Sequence, residues 1–446
     1  MADFQVIYVP IGVGTFHLES AQAQFEKSIA LLKRLEPGVI VPEQMLLTID
    51  LLKDFLKGKD PDLIILQNNT FANAAYASEI LHQSEAPILL WTLREPVIDG
   101  TRLRLNSLTG AFSAANAISA FRGDAFSYIF GSPEEEAVIR KVGAAIAAAK
   151  LRYQMQHLKM ASIGHTPQGF GFGRALDLDM LKNFGVTLES IEARELIDIA
   201  KTYSDADVEE YLEDAKQRIC GLDTIKPENV RDFARLYRSY KEYVTANGIG
   251  AISSRCWPDF FTAFGTPVCS VMGILNDLGV ATACEADTYG ALSMFCGMQL
   301  SGRPVFFGDP VSMDEKENTI TFWHCGMAPC SLARKDTGAA AGLHCNRKIG
   351  PTLDFGCQAC EAVTVFRIGR KPDGNFRFFI MEGKALDKPK QFTGTSVVVE
   401  AVNPVADTIA KSVKEGWEPH FVVIYGAVAQ ELEILAEFMG MEVSRF

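Results

Sequence analysis

The chain has 446 residues, 48% of them hydrophobic, and a formal net charge of −12 with a pI near 5.2. That apolar content supports packed cores in about two to four domains and excludes a disordered chain. The acidic balance, without any basic stretch interleaved with aromatics, excludes nucleic acid as a partner. No segment approaches the roughly 18 uninterrupted apolar residues of a membrane span, and Met1-Ala-Asp-Phe4 has no basic leader. The expectation is a soluble, cytoplasmic protein with a small-molecule substrate and no membrane partner.

Along the first third, apolar strands alternate with amphipathic helices: strands at Gln5-Val-Ile-Tyr-Val9, Gly38-Val-Ile-Val41, Asp62-Leu-Ile-Ile-Leu66, Ala86 to Trp91 and Phe126 to Phe130, with helices over Ser20 to Leu35 and Gln44 to Leu56. This is the pattern of a doubly wound parallel sheet. Ser132-Pro-Glu-Glu-Glu136 reads as a helix start, with a capping Ser and Pro at the first helical position. The helix it opens, to about Leu151, closes a domain over residues 1–152. A second βα series starts at Lys159-Met-Ala-Ser-Ile163 and includes helices near Asp205 to Ile219, Pro227 to Asn247, Ser270 to Leu278 and Tyr289 to Leu300. Its strands are Gly250 to Ser254 and the segment that ends at Glu285. It makes a second doubly wound domain over 153–300. From 301 to 446 strands dominate: Val305-Phe-Phe307, Thr319 to Trp323, a hairpin over Val363 to Met381 turned at Asp373-Gly374, and Thr395 to Val399. Two helices, Pro404 to Glu415 and Ala427 to Met439, flank the strand after His420. The fold class is therefore α/β: two doubly wound parallel-sheet domains followed by a β-rich C-terminal domain.

Two carboxylates follow apolar strand-like segments, Glu285 and Asp309, and His420 precedes Phe421-Val-Val-Ile-Tyr-Gly426. Carboxyl ends of strands are where open α/β sheets collect ligands. Brought together, two carboxylates and one imidazole suit a hard divalent cation, Mn²⁺ or Mg²⁺. Each residue also has a structural reading: Asp309 as a turn before Pro310, Glu285 as a helix cap, His420 as a solvated ring. Asp287 is the better cap for the helix that follows it, which leaves Glu285 facing the loop.

Candidate substrate contacts are His324 in Trp323-His-Cys-Gly-Met-Ala-Pro-Cys330, Arg347 in His344-Cys-Asn-Arg347, Arg255, and, in the first domain, Trp91, Arg102, Arg104 and Asn106. Polar loop groups with an indole platform bind sugar hydroxyls; surface loops and corners are the structural alternative. Gly164-His-Thr-Pro-Gln-Gly-Phe-Gly-Phe-Gly173 does not match a dinucleotide fingerprint and reads as an active-site rim or a plain loop. All ten cysteines lie between Cys220 and Cys360. Cys325, Cys330, Cys345, Cys357 and Cys360 offer a zinc module in which only Cys357-Gln-Ala-Cys360 has tight spacing; the other reading is small buried hydrophobes in a reducing compartment.

Cys256-Trp-Pro258, the run Ala283-Cys-Glu285-Ala-Asp287-Thr-Tyr-Gly-Ala291, Asp309 after its strand, Trp323 to Pro329, and His420 ahead of Tyr425-Gly426 together resemble the L-fucose isomerase family, over essentially the whole chain. The resemblance implies two α/β domains, a β-rich domain and a homo-oligomer, and the polar loops of the first domain suggest sites near subunit interfaces, completed by a neighbour. It also implies a Mn²⁺ site from Glu285, Asp309 and His420, with Glu285 and Asp309 as the catalytic pair. The implied reaction is aldose–ketose interconversion through an ene-diol, which needs a base and an electrophile holding both oxygens. The chain is short for the family. Phe16-His17 stands where a basic substrate residue is expected, and Met327 where an amide is expected. Shorter relatives of this kind include isomerases converting sulfoquinovose to sulfofructose, and Arg255, Arg347, Arg102 and Arg104 are candidates for a sulfonate. Sulfoquinovose is therefore the favoured substrate. The alternatives are a neutral L-fucose- or D-arabinose-type sugar, or a non-catalytic sugar-binding protein.

Overall fold

In the computed structural model, which describes residues 4–446, the chain forms two compact units: Met1–Gln154 with Gln430–Glu442, and Met155–Ala429 with Val443–Phe446.

The first unit carries strands β1 (Val6–Ile11), β2 (Leu63–Asn68), β3 (Ile88–Thr92) and β4 (Ser127–Phe130), paired in parallel in that order. The first three are buried along their whole length, which is why they read as unbroken apolar runs: helices cover both faces. Helices α1 (Leu18–Leu35), α2 (Ile49–Leu56), α3 (Ala74–Gln83), α4 (Ser107–Arg122) and α5 (Glu136–Gln156) connect them. One face holds a core of Ile7, Val9, Leu52, Leu56, Ile64 and Ile80. Three expectations are corrected here. Gly38 to Val41 is no full strand; it holds the outer side of β1 through a single bridge, Ile40 to Ile7, and supplies the edge position of a doubly wound order. The helix expected from Gln44 begins at Ile49, because Thr48 accepts from Leu51 N–H and caps it there. Ser132-Pro-Glu-Glu is a turn before α5: Glu135 folds back on the Ser132 N–H at 2.6 Å and pairs with Arg94, so the helix opens at Glu136.

The second unit begins with β5 (Lys159–Ile163), β6 (Thr187–Ile191), β7 (Ala251–Ser254) and β8 (Ala281–Cys284), all parallel in the order β6-β5-β7-β8. Around them lie α6 (Asp177–Phe184), α7 (Ala193–Thr202), α8 (Glu209–Arg218), α9 (Pro227–Asn247), α10 (Cys269–Asp277) and α11 (Thr288–Ser301). Strand β6, α6 and α7 escape the sequence reading because Thr187-Leu-Glu-Ser-Ile is a half-exposed edge strand with no apolar run. The strand order reverses at β5, which makes its carboxyl edge a ligand-collecting position. From that edge emerge the loop Gly164 to Gly173, the segment Arg255-Cys-Trp257, and Glu285.

The remaining strands are β9 (Phe306–Asp314), β10 (Thr319–His324), the short pair β11 (Ala341–Gly342) and β12 (Thr352–Leu353), β13 (Phe355–Gly356), β14 (Cys360–Arg370), β15 (Phe376–Ala385), β16 (Thr395–Ala401), β17 (Phe421–Ile424) and β18 (Glu442–Arg445). Antiparallel pairings run β16-β10-β9-β17-β14-β15, and β15 pairs again with β16. The β-rich part is thus a closed ring of strands, which removes its free edges. Helix α12 (Val405–Lys414) belongs to this unit, whereas α13 (Ala429–Met439) joins the first, where Glu437 pairs with Lys141 at 3.3 Å.

The closing seam has no room for a side chain at Gly383, where a Cβ would sit 2.3 Å from the Glu400 carbonyl. Gly383→Ala is expected to lower the urea midpoint by the equivalent of about 1–3 kcal/mol. Gly14→Ala, with nothing within 4 Å, serves as the unclashed comparison.

Candidate active site

Strand register brings the barrel residues together. Phe421 of β17 pairs with Gly308 of β9, so the next position sets His420 beside Asp309. On the other side of β9, Trp323 of β10 pairs with Asp309, which leaves His324 at the same rim. Asp309 lies within a strand of the barrel, contrary to the expectation of a loop at the end of an α/β strand. The ladder slips between Thr321 and Phe322 opposite Pro310, a bulge that bends β9 just beyond Asp309. Glu285 comes from the parallel sheet instead. It and Ala286 have φ of 59° and 54°, a left-handed pair that non-glycine residues adopt at a cost of order 1 kcal/mol each. The turn is held by the Ala286 N–H on Ser254 O and the Asp287 N–H on Cys284 O. It delivers the Glu285 carboxylate to His420: Oε2 lies 2.9 Å from His420 Nε2, and Asp309 Oδ1 lies 3.5 Å from the same nitrogen.

Behind this group lies a buried relay. Asp287 Oδ1 accepts from the Gly290 N–H and caps α11, while Oδ2 holds His420 Nδ1 at 2.8 Å. Arg367 of β14 grips both Asp287 oxygens, at 2.6 and 3.1 Å, and donates to the His420 carbonyl. Asp287, Arg367 and His420 side chains are each 1% exposed. Burial works against charge on Asp287, yet Arg367 and His420 hold its carboxyl well below the usual range. Burial likewise lowers His420, but Asp287 and Glu285 reverse that and raise it to about 9. Glu285 is buried too, and hydrogen bonds from His420 and Trp257 with the nearby His324 keep it low. Asp309 has no such donors; burial raises it, and His420 and His324 offset this only in part.

The donor set fits a cation. With Nδ1–H committed to Asp287, His420 would give up its Nε2 proton when a cation binds between it and the two carboxylates, and a carboxylate behind a ligating imidazole fixes its tautomer. Ligand atoms of Glu285, His324 and His420 lie within 4.8 Å of one another. His324 differs from His420, because its Nδ1 accepts the Cys325 N–H at 2.9 Å. Its proton then sits on Nε2, which leaves that nitrogen a donor rather than a ligand. Glu285 and His420 would then hold the ion, with Asp309 Oδ1, 3.5 Å from His420 Nε2, as the third ligand beside them. The oxygen-rich set matches Mn²⁺ or Mg²⁺ better than a thiophilic metal.

The other sequence candidates are placed as follows. Trp91 is fully buried, its indole N–H on the Gly131 carbonyl at 2.9 Å, so it offers no surface platform. In the first unit Arg102 donates to the Thr15 carbonyl, Arg104 pairs with Asp99 at 3.6 Å, and Asn106 precedes α4 with φ 52°. Glu95 accepts from the backbone N–H groups of Arg104, Leu105 and Asn106 and shapes that loop. Arg255 is taken up by Asp259 at 2.7 Å and the Trp257 carbonyl. Arg347 stacks on Trp257 and Phe261, 5.5 and 4.9 Å from their ring centres. Trp257 in turn donates to Glu285 Oε1 at 3.1 Å. The glycine-rich loop borders the candidate site: Phe170 and Phe172 lie 6.3 and 5.4 Å from the His420 ring. The sequence reading missed Arg367 and the relay role of Asp287, since a single arginine inside an apolar strand gives no local signal of its partner.

The relay makes the metal-free protein sensitive to pH. Because the folded His420 value, about 9, exceeds the unfolded value of about 6.5, its contribution is fully present below about pH 6.5 and lost as pH rises through about 9. In chelator, the stability difference between the unaltered chain and His420→Asn is expected to shrink across that window in urea titrations. A gap that widens with pH contradicts the assignment.

No protein-family model matches the chain. Curated relatives do. A protein named sulfoquinovose isomerase from Clostridium sp. (strain MSTE9) is 61% identical over 442 residues, covering 99% of each chain. Proteins of the same name from Priestia megaterium and Alkalicoccus urumqiensis are 37% and 33% identical, over 99% and 98% of each chain. Identity of this level across the full length, on a fold of two parallel sheets and a β-rich part, shows that the chain belongs to the sulfoquinovose isomerase family.

Proposed function

We propose that the chain interconverts sulfoquinovose and sulfofructose, an aldose–ketose isomerisation through an ene-diol, at a divalent cation held by Glu285, Asp309 and His420. The observation that carries this reading is the convergence of those side chains around His420 Nε2, at 2.9 and 3.5 Å, in a chain similar to proteins of that name. The bound cation would supply Lewis acidity to the two sugar oxygens between which charge shifts. Glu285, kept ionised by its hydrogen bonds, takes the proton from one carbon. Asp309, whose carboxyl is pushed up by burial, is the partner that exchanges a proton at the oxygen side when substrate loosens it, an assignment in keeping with two carboxyls driven apart by their surroundings. His324 donates from Nε2 to a substrate oxygen. Phe170, Phe172 and Phe307 around His420 exclude water from the proton path.

The sulfonate calls for a free guanidinium. Of the arginines singled out, Arg255 and Arg104 are paired with carboxylates and Arg102 with a carbonyl. Arg347 is exposed and stacked, with no carboxylate at ion-pair distance among the described residues. Trp257 touches both groups, with the guanidinium 5.5 Å from its ring centre and its indole N–H on Glu285 Oε1 at 3.1 Å, so Arg347 sits against the same indole that lines the carboxylates.

Metal-stripped protein is expected to form ketose from sulfoquinovose only after Mn²⁺ or a similar ion is restored. Glu285→Gln should lower kcat by at least about 10²–10⁴-fold without loss of the folded signal in circular dichroism. Ligand-induced stabilisation with no turnover would instead mark a binding protein. Arg347→Met is expected to lower kcat/KM for the sulfonated sugar by about 10–100-fold, the scale of one charge-assisted hydrogen bond, while leaving any activity on neutral aldoses in place. Equal loss on both substrate types would remove Arg347 from sulfonate recognition.

A further inference from the structure

A second group of metal-binding side chains lies apart from the carboxylate site. Ligand atoms of Cys269, Cys325 and His344 all fall within 4.8 Å of one another. Cys269 and His344 are buried, 0% and 3% exposed, and Cys325 is half-buried. They come from three separated segments: Cys269 opens α10, Cys325 follows β10, and His344 stands in the irregular stretch between β11 and β12. The Cys325 and Cys284 thiols both act on Cys269 and lower its pKa, so a further sulfur lies near Cys269. Donors in a tetrahedral zinc site lie about 3.5–4 Å apart, and this group needs only small rotations to reach that spacing. Phe261 packs edge-on against His344 at 5.0 Å and walls the group from solvent. Among the described residues His344 Nδ1 lies 3.3 Å from the Asn346 N–H and 4.0 Å from Cys345 Sγ.

We infer that Cys269, Cys325 and His344 bind a zinc ion, with Cys284 adjacent as a fourth sulfur, in a structural site behind the active site. Sulfur and imidazole donors select a borderline-soft ion, while the carboxylates and single imidazole of the other site select a hard one. The two sites therefore sort metals by ligand chemistry within one unit. Backbone connectivity links them: Cys325 follows His324 directly, and Cys284 immediately precedes Glu285. A tether at the sulfur site fixes the chain from which the active-site groups project. The zinc module considered from sequence spacing, with Cys330, Cys345, Cys357 and Cys360, does not assemble among the described residues; only Cys325 is shared.

The test is metal analysis by mass spectrometry on full-length protein purified without chelator, then dialysed against EDTA to exchange the carboxylate-bound ion. About one zinc per chain is expected to survive dialysis, to persist in Glu285→Gln, and to be lost in Cys269→Ser and Cys325→Ser. Because a cysteine variant can fail to fold, the unaltered protein grown with cobalt gives a second reading: a thiolate-to-cobalt charge-transfer band in the near ultraviolet. Zinc absent from the unaltered protein, zinc retained by both cysteine variants, no charge-transfer band, or a Cys269–Cys325 disulfide in a non-reducing peptide map would each overturn the site. None of these readouts uses isomerase activity, so this inference and the proposed reaction stand or fall separately.

Discussion

The buried pairing of Asp287 with Arg367 is the interaction on which the candidate site around His420 depends. Two side chains, each 1% exposed, carry opposite charges that burial alone would forbid, and breaking one partner of such a pair typically costs about 3–5 kcal/mol because the other is left uncompensated. Asp287 spends its lone pairs on three tasks: it caps α11, neutralises Arg367, and orients His420. The parallel sheet and the barrel are joined chemically through this residue, since Asp287 follows β8 whereas Arg367 and His420 belong to barrel strands. Glycine at 290 and 173 is required by the same crowding; a Cβ there would lie 2.6 Å from Phe307 and 2.8 Å from the Asp287 backbone.

Around that anchor the two architectures divide the work. The parallel sheet contributes Glu285 on a left-handed turn and the aromatic residues of neighbouring loops, Phe170, Phe172 and Trp257. The barrel contributes Asp309, His324 and His420 through register, with the relevant residues aligned across adjacent strands β10, β9 and β17. A closed ring of strands holds such alignments rigidly, because a slip of one residue would turn each side chain to the opposite face. The charges follow from local supply of donors: Glu285 and Asp287 are rich in them and stay low, Asp309 is poor in them and is pushed up.

Much of the fold was legible because its signals are local. The long apolar strands, the cap at Asp287, the Pro227 start of α9 and the Asp373-Gly374 turn all announce themselves within a few residues. The misreadings share a cause as well. Gly38 to Val41 has the composition of a strand but finds only one bridging partner; Ser132-Pro has the composition of a helix start, yet Glu135 prefers the Ser132 N–H and Arg94. Trp91 looked like a loop-edge platform because a strand end is ambiguous by one turn of chain, and only packing showed its indole to be enclosed.

The types of chemistry available were written in the sequence: two acids and an imidazole near strand termini, a cysteine-rich middle, a glycine-rich loop, and a handful of arginines outside apolar runs. Their grouping was not. Which carboxylates share His420, that Arg367 lies beneath it, that Arg347 stacks on Trp257 and Phe261, and that Cys269 faces Cys325 rather than Cys357 facing Cys360 all depend on pairings between residues tens to more than a hundred positions apart. Residue type and short-range periodicity govern backbone conformation, whereas strand register and the desolvation of charge decide which distant groups meet, and those are properties of the assembled tertiary structure alone.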